Sequence, residues 1–566
     1  MESRRRSLIP IAIVCVVLGA GFRLWHLDGQ TFSSDETVAA QHVAGYVEQD
    51  VLNALGDARP VHAKEAERFV VPTGERGTRS VVAALAREDP QHPPLFYVLE
   101  RWWLAPAGPS IAAERALSAI FGLLGIAATW WLCALAGRSA VAGWAGAAVF
   151  ALSPFEVVYA QQLREYALFA TLTMASAALL ILALRAPRWW TIVALAIAVA
   201  AGLYTFSLFV LVVAAEATIV VILRPARRTA LVVAAAFAAA LVAWSPWMVV
   251  LARGRDLVTS TNDWSGTRWS PLALIAKWLY NAAISSFDLI YLNARWAPLA
   301  AIVLLIVGIA LWETRRASAE ARAIVWALLA WTFGALALTD LIAGGHRSTV
   351  ARYTTPAYCA LIVAVAVWVS TGWRGDGKRF AFRSACALLL CVLGAASLGT
   401  RATRTVWWDN AKESGIRPIA ATIDEAKLPV LVTDGNWPLL VNLSRYVRTN
   451  PTLTLVSADR VATLVTAHGR ALVVTTSAAS RRTVIAARSV RTRVVTDAAR
   501  SADAVSLFRS RLASARADKA DDVDDSHAAV LEVAGRTERP PGHLTRDLGP
   551  SLIATGAGTV GRIYVR

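Results

Sequence analysis

The first residues in this chain that could do chemistry are two adjacent carboxylates, Asp35 and Glu36, directly after Thr31-Phe32-Ser33-Ser34. A carboxylate can take the proton from an attacking hydroxyl, so such a pair is a candidate for general base catalysis. A solvated loop can also carry an Asp-Glu pair that has no catalytic role. The pair alone does not separate these readings, and the other polar clusters of the chain therefore matter.

A second cluster is the proline-rich segment Glu88-Asp89-Pro90-Gln91-His92-Pro93-Pro94-Leu95-Phe96-Tyr97. Its prolines restrict the backbone and supply no amide donors, so they predict an ordered turn that leads into an interfacial helix. His92 is either a ligand or proton carrier for a substrate, or a hydrogen-bonded histidine at a hinge.

A third cluster, Ser153–Tyr166, brings together polar residues where two apolar segments meet. Placing so many polar groups there is costly unless they face a cavity. Arg164 and Tyr166 stand at the start of a predicted helix, where an anion would be favoured. Alternatively, Arg164 reaches lipid headgroups at the interface. The candidate binding residues are Glu156, Gln161, Arg164 and Tyr166.

A fourth cluster, Gly344–Tyr353, precedes a late apolar segment. Its two arginines fall on the outer side of the predicted topology, against the usual bias of basic residues toward the cytoplasm. A guanidinium suits a phosphate because its planar fork donates two parallel hydrogen bonds. The candidate binding residues here are His346, Arg347, Arg352 and Tyr353.

The elements that must position these residues are apolar. The chain has 566 residues, of which 56% are hydrophobic and 17% charged, and its mean hydropathy is +0.48. This composition excludes an ordinary soluble protein. The net charge of +17 is spread through short loops, which argues against a nucleic-acid partner. The five cysteines all fall within apolar segments and show no disulfide or metal spacing.

A membrane-spanning helix needs roughly 20 apolar residues. We predict a polytopic α-helical membrane protein of about eleven spans, with 189–223 divided near Tyr204. The basic loops then fall on one side, which places the N-terminus inside and everything after Thr400 outside the cytoplasmic membrane. The predicted spans are 8–25, 112–136, 139–153, 165–184, 189–203, 206–223, 229–250, 296–313, 323–342, 353–371 and 383–399.

Three stretches outside the membrane are long. The first, 26–111, carries the Asp-Glu pair and a helical pattern from Glu36 to Leu55, and the second, 251–295, contains a possible interfacial helix at 271–287. The third, 401–566, alternates short β-branched runs with helical patterns. We therefore predict a membrane region over 1–400 and an extracytoplasmic α/β domain over 401–566, with an acidic linker at 518–525. The β-branched runs are 429–433, 453–456, 471–475 and 493–495.

In this order and topology, the four clusters resemble the GT-C glycosyltransferases. The shared features are an Asp-Glu after the first span, a His-Pro-Pro-Leu-aromatic-Tyr segment, a Gln-x-x-Arg-x-Tyr start to a later span and an Arg-Tyr before a late span. The resemblance covers residues 8–400. It is to bacterial members akin to the dolichyl-phosphate-mannose-protein mannosyltransferases and the aminoarabinose lipid A transferases.

This resemblance implies transfer of a sugar from a polyprenyl-phosphate donor to a glycan, lipid or protein acceptor, in an inverting reaction. It implies that Asp35 is the catalytic carboxylate, that Glu36 is its neighbour and that Arg164 and Arg352 hold the lipid phosphate. The assignment of the arginines is chemically reasonable, since guanidinium groups directed at the departing phosphate stabilise its negative charge. No cofactor is certain, although the carboxylates could hold a divalent cation.

Two other functions remain open at this stage. A transporter or lipid flippase of envelope precursors would show internal repeats and polar helices at mid-membrane depth. Here polarity collects at the outer helix ends, with Glu216 as the exception, which favours an enzyme. A membrane scaffold for the C-terminal domain would leave the polar clusters without a purpose.

Overall fold

The computed structural model describes residues 2–373, 377–461, 463–464, 470–475, 483–484, 490–497 and 529–535, apart from residues 57 and 434. Its contacts divide the chain into two compact units. The first consists of Met1–Gly29 and Thr78–Arg404, and the second of Gln30–Gly77 and Thr405–Arg566. We call these the membrane unit and the mixed unit. The predicted acidic linker at 518–525 lies outside the described residues.

The membrane unit is helical because its sequence is a succession of long apolar segments. Its α-helices are Glu2–Leu24, Thr78–Glu88, Leu95–Ala107, Ile111–Gly137, Ala140–Ala151, Pro154–Ala160, Tyr166–Arg185, Trp189–Thr205, Phe209–Leu223, Arg227–Arg253, Arg255–Asn262, Pro271–Ile284, Ala297–Glu313, Ala319–Leu329, Ala335–Ala343, Thr355–Trp373 and Gly377–Ala402.

Within the described residues, seven helical segments are long and apolar enough to cross a bilayer. An eighth is possible if Ala140–Ala151 and Pro154–Ala160, which meet at 63°, form one broken span. Three shorter apolar helices occupy Leu8–Leu24, Trp189–Thr205 and Phe209–Leu223. The chain is a multi-pass membrane protein. Each of the eleven predicted segments coincides with an apolar helix, but the count of eleven spans stays a prediction because three of these helices are short.

Local breaks in the helices follow the sequence. Two prolines, Pro93 and Pro94, immediately precede the helix Leu95–Ala107, as predicted. The stretch 189–223 does divide into two helices, and Phe206–Leu208 separates them. The interfacial helix predicted at 271–287 is observed as Pro271–Ile284, with Pro271 in its first turn and the Ser270 hydroxyl accepting from the Ala273 amide.

In the part of the mixed unit that the structure describes, the strands form a six-stranded sheet. Its strands, numbered in chain order, are β1 Pro60–His62, β2 Val430–Val432, β3 Thr452–Leu455, β4 Arg470–Thr475, β5 Val490–Asp497 and β6 Ala529–Gly535. Their order is β1-β3-β2-β4-β6-β5. The strands β3, β2 and β4 are parallel, whereas β1, β5 and β6 pair antiparallel with their neighbours.

The unit's α-helices are Ser34–Ala44, Glu48–Leu55, Ala63–Ala66, Ile416–Ala426 and Trp437–Ser444. All four predicted β-branched runs fall on strands, and side chains such as Leu431, Val456 and Val473 form a buried core. The helical pattern expected from Glu36 to Leu55 is interrupted at Gly45, which adopts φ 86°. Glycine reaches this left-handed conformation without steric cost and so ends the helix there.

The chain enters the mixed unit twice, which the sequence did not predict. The domain prediction kept residues 30–77 with the membrane region over 1–400. In the structure β1 pairs with β3, and the Thr31 amide donates to the Thr405 carbonyl at 2.7 Å. The segment that carries Asp35 and Glu36 is therefore completed by residues that follow the last membrane helix.

Candidate functional site

The Asp-Glu pair lies in the first turn of the helix Ser34–Ala44. Ser33 is the N-cap residue, and its hydroxyl accepts from the Glu36 amide at 3.1 Å. The Glu36 carboxylate in turn accepts from the Ser33 amide at 2.9 Å, which closes a capping box. Glu36 is 1% exposed, whereas Asp35 is exposed. The two neighbours thus differ in their surroundings: Glu36 is buried and closes the helix start, whereas Asp35 is exposed.

The turn before this helix is fixed by residues from the C-terminal part of the chain. The amide of Asn410 donates to the Thr31 carbonyl at 2.7 Å, and the amide of Asn442 donates to the Phe32 carbonyl at 2.6 Å. The Phe32 amide donates to the Tyr446 hydroxyl at 2.8 Å. These contacts lie within the mixed unit and hold the backbone on which Asp35 is presented.

In the membrane unit, a buried polar network joins the second and third sequence clusters. Nη2 of Arg164 donates to the Tyr166 hydroxyl at 3.0 Å and contacts Nε2 of His92 at 3.0 Å. It also lies 3.3 Å from Oε1 of Glu165. Oε1 of Glu165 is 3.4 Å from Nε2 of His92. The structure therefore brings together three predicted residues, His92, Arg164 and Tyr166.

Hydrogen-bond logic assigns the tautomer of His92. A guanidinium can only donate, so Nε2 of His92 accepts from Arg164. The proton then sits on Nδ1, which donates to Oδ2 of Asp89 at 2.7 Å. An imidazole held at both nitrogens has a fixed orientation. His92 thus orients Arg164 from the proline-rich turn.

Three residues that were not predicted as site residues, Glu165, Tyr97 and Asp89, complete this network. Glu165 is fully buried, and its carboxylate accepts from the Tyr97 hydroxyl at 3.4 Å. Burial raises the pKa of Tyr97 well above its usual value, and Glu165 raises it further, so the phenol keeps its proton. The available signals were the adjacency of Glu165 to Arg164 and the three-residue spacing of Asp89 and His92.

Phe206 connects the network to the fourth cluster. Its ring centroid lies 5.9 Å from His92, 5.6 Å from Tyr166 and 6.1 Å from Tyr353. Tyr353 donates to the Asn262 side chain at 3.2 Å. Arg352 lies over the Tyr353 ring and is close enough to Tyr166 to interact with it electrostatically. The two predicted phosphate ligands, Arg164 and Arg352, therefore both interact with Tyr166.

Four other predicted binding residues have local partners. Gln161 donates to the carbonyls of Phe22 and Trp25 at 2.7 and 3.0 Å and accepts from Arg401. It therefore joins the ends of the first and last apolar helices of the unit. Glu156 is buried and interacts with Arg23, which donates to the Phe150 and Ala151 carbonyls.

The remaining pair, His346 and Arg347, is held within its own loop. The ring of His346 stacks on that of Trp269 with 4.6 Å between their centroids. Nδ1 of His346 lies 3.1 Å from the Thr267 carbonyl oxygen. Arg347 donates to the Gly344 carbonyl at 3.1 Å and lies 3.6 Å from Asp340. These contacts order the loop that leads to Arg352.

Among the described residues, no group of three or more His, Cys, Asp or Glu side chains could hold a metal ion. The divalent cation considered from the sequence therefore stays untested.

Comparison with protein-family models and with curated proteins finds no match. Several solved structures are similar. The structure of ArnT from Cupriavidus metallidurans bound to undecaprenyl phosphate is 14% identical, covers 94% of this chain and 98% of its own, and has a TM-score of 0.52. The apo state of ArnT has the same identity and coverage, with a TM-score of 0.45.

The Archaeoglobus fulgidus oligosaccharyltransferase in the apo form is 12% identical over 78% of this chain and 64% of its own, with a TM-score of 0.44. Only the first score exceeds 0.5, and at this identity it establishes the fold alone. ArnT and the oligosaccharyltransferase are both GT-C glycosyltransferases. The resemblance seen in the sequence clusters is confirmed at the level of fold: this chain has the GT-C glycosyltransferase fold.

Proposed function

We propose that this protein is a membrane glycosyltransferase that moves a sugar from a polyprenyl-phosphate donor to an acceptor hydroxyl outside the cytoplasmic membrane. The observation that carries the proposal is the fold shared, over 94% of the chain, with ArnT bound to undecaprenyl phosphate. The acceptor belongs to the cell envelope and is a glycan, lipid or protein.

Asp35 is the proposed general base. Its exposed carboxylate, on a backbone turn held at several points, can take the proton of the acceptor hydroxyl as that oxygen attacks the anomeric carbon. The bond between the sugar and the donor phosphate breaks, and the polyprenyl phosphate leaves with its negative charge. One displacement of this kind inverts the anomeric centre.

Arg164 and Arg352 are the proposed ligands of the donor phosphate. The charge of the phosphate grows as the sugar departs, so guanidinium groups directed at it stabilise the transition state more than the bound substrate. His92, Glu165 and Tyr166 hold Arg164 in a fixed orientation, so little reorganisation is needed during the reaction.

Mass spectrometry of cell-envelope glycans tests the proposal while the sugar is unknown. Cells with the wild-type protein, without it, and with Asp35→Asn at matched expression are compared. A sugar-modified species should be present only with the wild-type protein. If Asp35→Asn restores that species fully, Asp35 is not the base, and transport of a precursor becomes the better reading.

A further inference from the structure

A third carboxylate reaches the turn that carries Asp35. Glu413 belongs to the short 3₁₀ turn Ala411–Glu413, beyond the last membrane helix, and lies 379 residues from Ser34 in the chain. Its Oε1 accepts from the Ser34 amide at 2.9 Å and from the Ser34 hydroxyl at 2.6 Å. Both residues belong to the mixed unit. Glu413 thus accepts hydrogen bonds from both the backbone amide and the side-chain hydroxyl of Ser34, the residue directly before Asp35.

Helix capping alone does not explain this contact. Ser33 and Glu36 already close a capping box at this helix start. Ser34 is exposed, so water could satisfy its amide at little cost. Glu413 itself is only 6% exposed, and burying a carboxylate is unfavourable unless its hydrogen bonds compensate. The amide and hydroxyl of Ser34 supply two such hydrogen bonds to the buried carboxylate.

The charges around Glu413 include that of Asp35. Burial raises the pKa of Glu413, the two Ser34 hydrogen bonds lower it, the negative charge of Asp35 raises it, and Lys412 lowers it. The two carboxylates therefore repel each other, and this repulsion acts on both.

We propose that Glu413 is a positioning residue for Asp35: its two hydrogen bonds fix Ser34, the residue directly before that carboxylate in the chain. This inference rests on the proposed function, in which Asp35 is the base. It gives the C-terminal part of the chain a specific part in the reaction. Glu413 acts through Ser34 and Asp35 and makes no contact with the reacting atoms in this scheme.

The test uses the full-length protein and a donor–acceptor pair identified by the glycan analysis. kcat and KM for the donor are measured against pH for wild type, Glu413→Gln and Glu413→Ala. Glu425→Gln is the matched control because it removes the same charge from an exposed position of the helix Ile416–Ala426. Asp35→Asn is measured in parallel.

Glu413→Ala should lower kcat by roughly 10- to 100-fold, with KM for the donor nearly unchanged, because misplacement of a catalytic group costs rate rather than binding. Glu413→Gln keeps an acceptor oxygen and should lose less. Because the glutamine oxygen can still accept from the Ser34 amide and hydroxyl, Glu413→Gln should recover most of the kcat that Glu413→Ala loses, again with little change in KM. Glu425→Gln should behave like wild type.

The outcomes distinguish failure of the positioning role of Glu413 from failure of the proposed function. If Asp35→Asn is inactive while both Glu413 variants keep the wild-type pH profile and kcat, the positioning role is wrong. If Glu413→Ala only lowers the amount of folded protein and leaves kcat per folded molecule unchanged, the positioning role is also wrong, because a purely structural residue has that effect. An active Asp35→Asn variant would instead refute the proposed function. Should Glu413→Ala not fold, Glu413→Gln decides alone.

Discussion

At the scale of single residues, the two members of the Asp-Glu pair lie in different surroundings. Asp35 is exposed, whereas Glu36 is buried in a capping box with Ser33. Adjacent positions in the first turn of a helix point in different directions, so only one of two neighbouring carboxylates can close the box. This makes the division between catalysis and structure testable by substitutions that keep the shape of the side chain.

Asp35→Asn should lower kcat by about 10²–10⁴-fold, since it removes a general base and preserves the size of the side chain. Glu36→Gln should stay within a few-fold of wild type, because glutamine also serves at the third position of a capping box. Initial rates at matched expression provide the measurement. An inactive Glu36→Gln variant beside an active Asp35→Asn variant would reverse the assignment.

Arg352→Ala should raise KM for the donor and lower kcat/KM, and Arg352→Lys should restore little because lysine lacks the planar fork.

Arg164→Ala should also raise KM for the donor and lower kcat/KM, and it should in addition destabilise the protein, since it leaves the buried Glu165 without a cationic neighbour. Thermal unfolding in detergent separates the two effects. Arg253→Ala, at an exposed arginine, is the control. Unchanged donor saturation in both variants would show that these arginines do not bind the donor.

At the scale of elements, the helix Ser34–Ala44 is defined by its two ends. The Ser33 cap begins it, and the left-handed Gly45 ends it. Its acidic first turn also suits the positive end of a helix dipole. The catalytic candidate therefore sits on a regular element with a fixed start, which holds a side chain more precisely than a loop does.

Ser33→Ala should destabilise the fold by about 1 kcal/mol through loss of the cap. It should also lower transfer, because the turn that carries Asp35 frays. Ser33→Thr keeps the hydroxyl and should retain most of both. Limited proteolysis near residue 34, together with transfer rates, measures the effect. Equal rates and equal protease resistance in Ser33→Ala would show that the cap does not matter for presenting Asp35.

At the scale of the whole molecule, the mixed unit is assembled from two distant stretches of chain. β1 completes the sheet beside β3, and residues 405–446 fix the backbone of Thr31 and Phe32. The segment Gln30–Gly77 therefore lacks most of its partners until the C-terminal part has been made. The C-terminal residues are part of the structure that carries the candidate base.

Truncation after Arg404 should abolish transfer and expose residues 30–77 to protease, because their strand and hydrogen-bond partners are removed. A chain that ends at Gly535 keeps all six strands and should keep this segment protected. Protease mapping of both proteins in membranes is the measurement. Full transfer by the shorter chain would show that the mixed unit has no part in the reaction.

The proposed topology places Thr400 and the residues after it outside the cytoplasmic membrane, because the basic loops face inward. A reporter fused after Thr400 should be active only when it is exported. A matched fusion after Arg188, in a loop predicted to be inside, should show the opposite behaviour. Cytoplasmic activity of the Thr400 fusion would contradict the proposed location of the acceptor.

The sequence alone determined the features that depend on local pattern. Apolar length located the helices of the membrane unit, β-branched runs located strands in the C-terminal part, and the prolines at 93 and 94 located a helix start. Tertiary structure decided which segments associate: β1 with β3, Glu413 with Ser34, and Glu165 with His92. Periodicity records how a segment buries its own side chains, whereas a hydrogen bond across 379 residues leaves no repeat in either partner. That Asp35 is exposed while Glu36 is buried in the capping box was likewise decided by the tertiary structure.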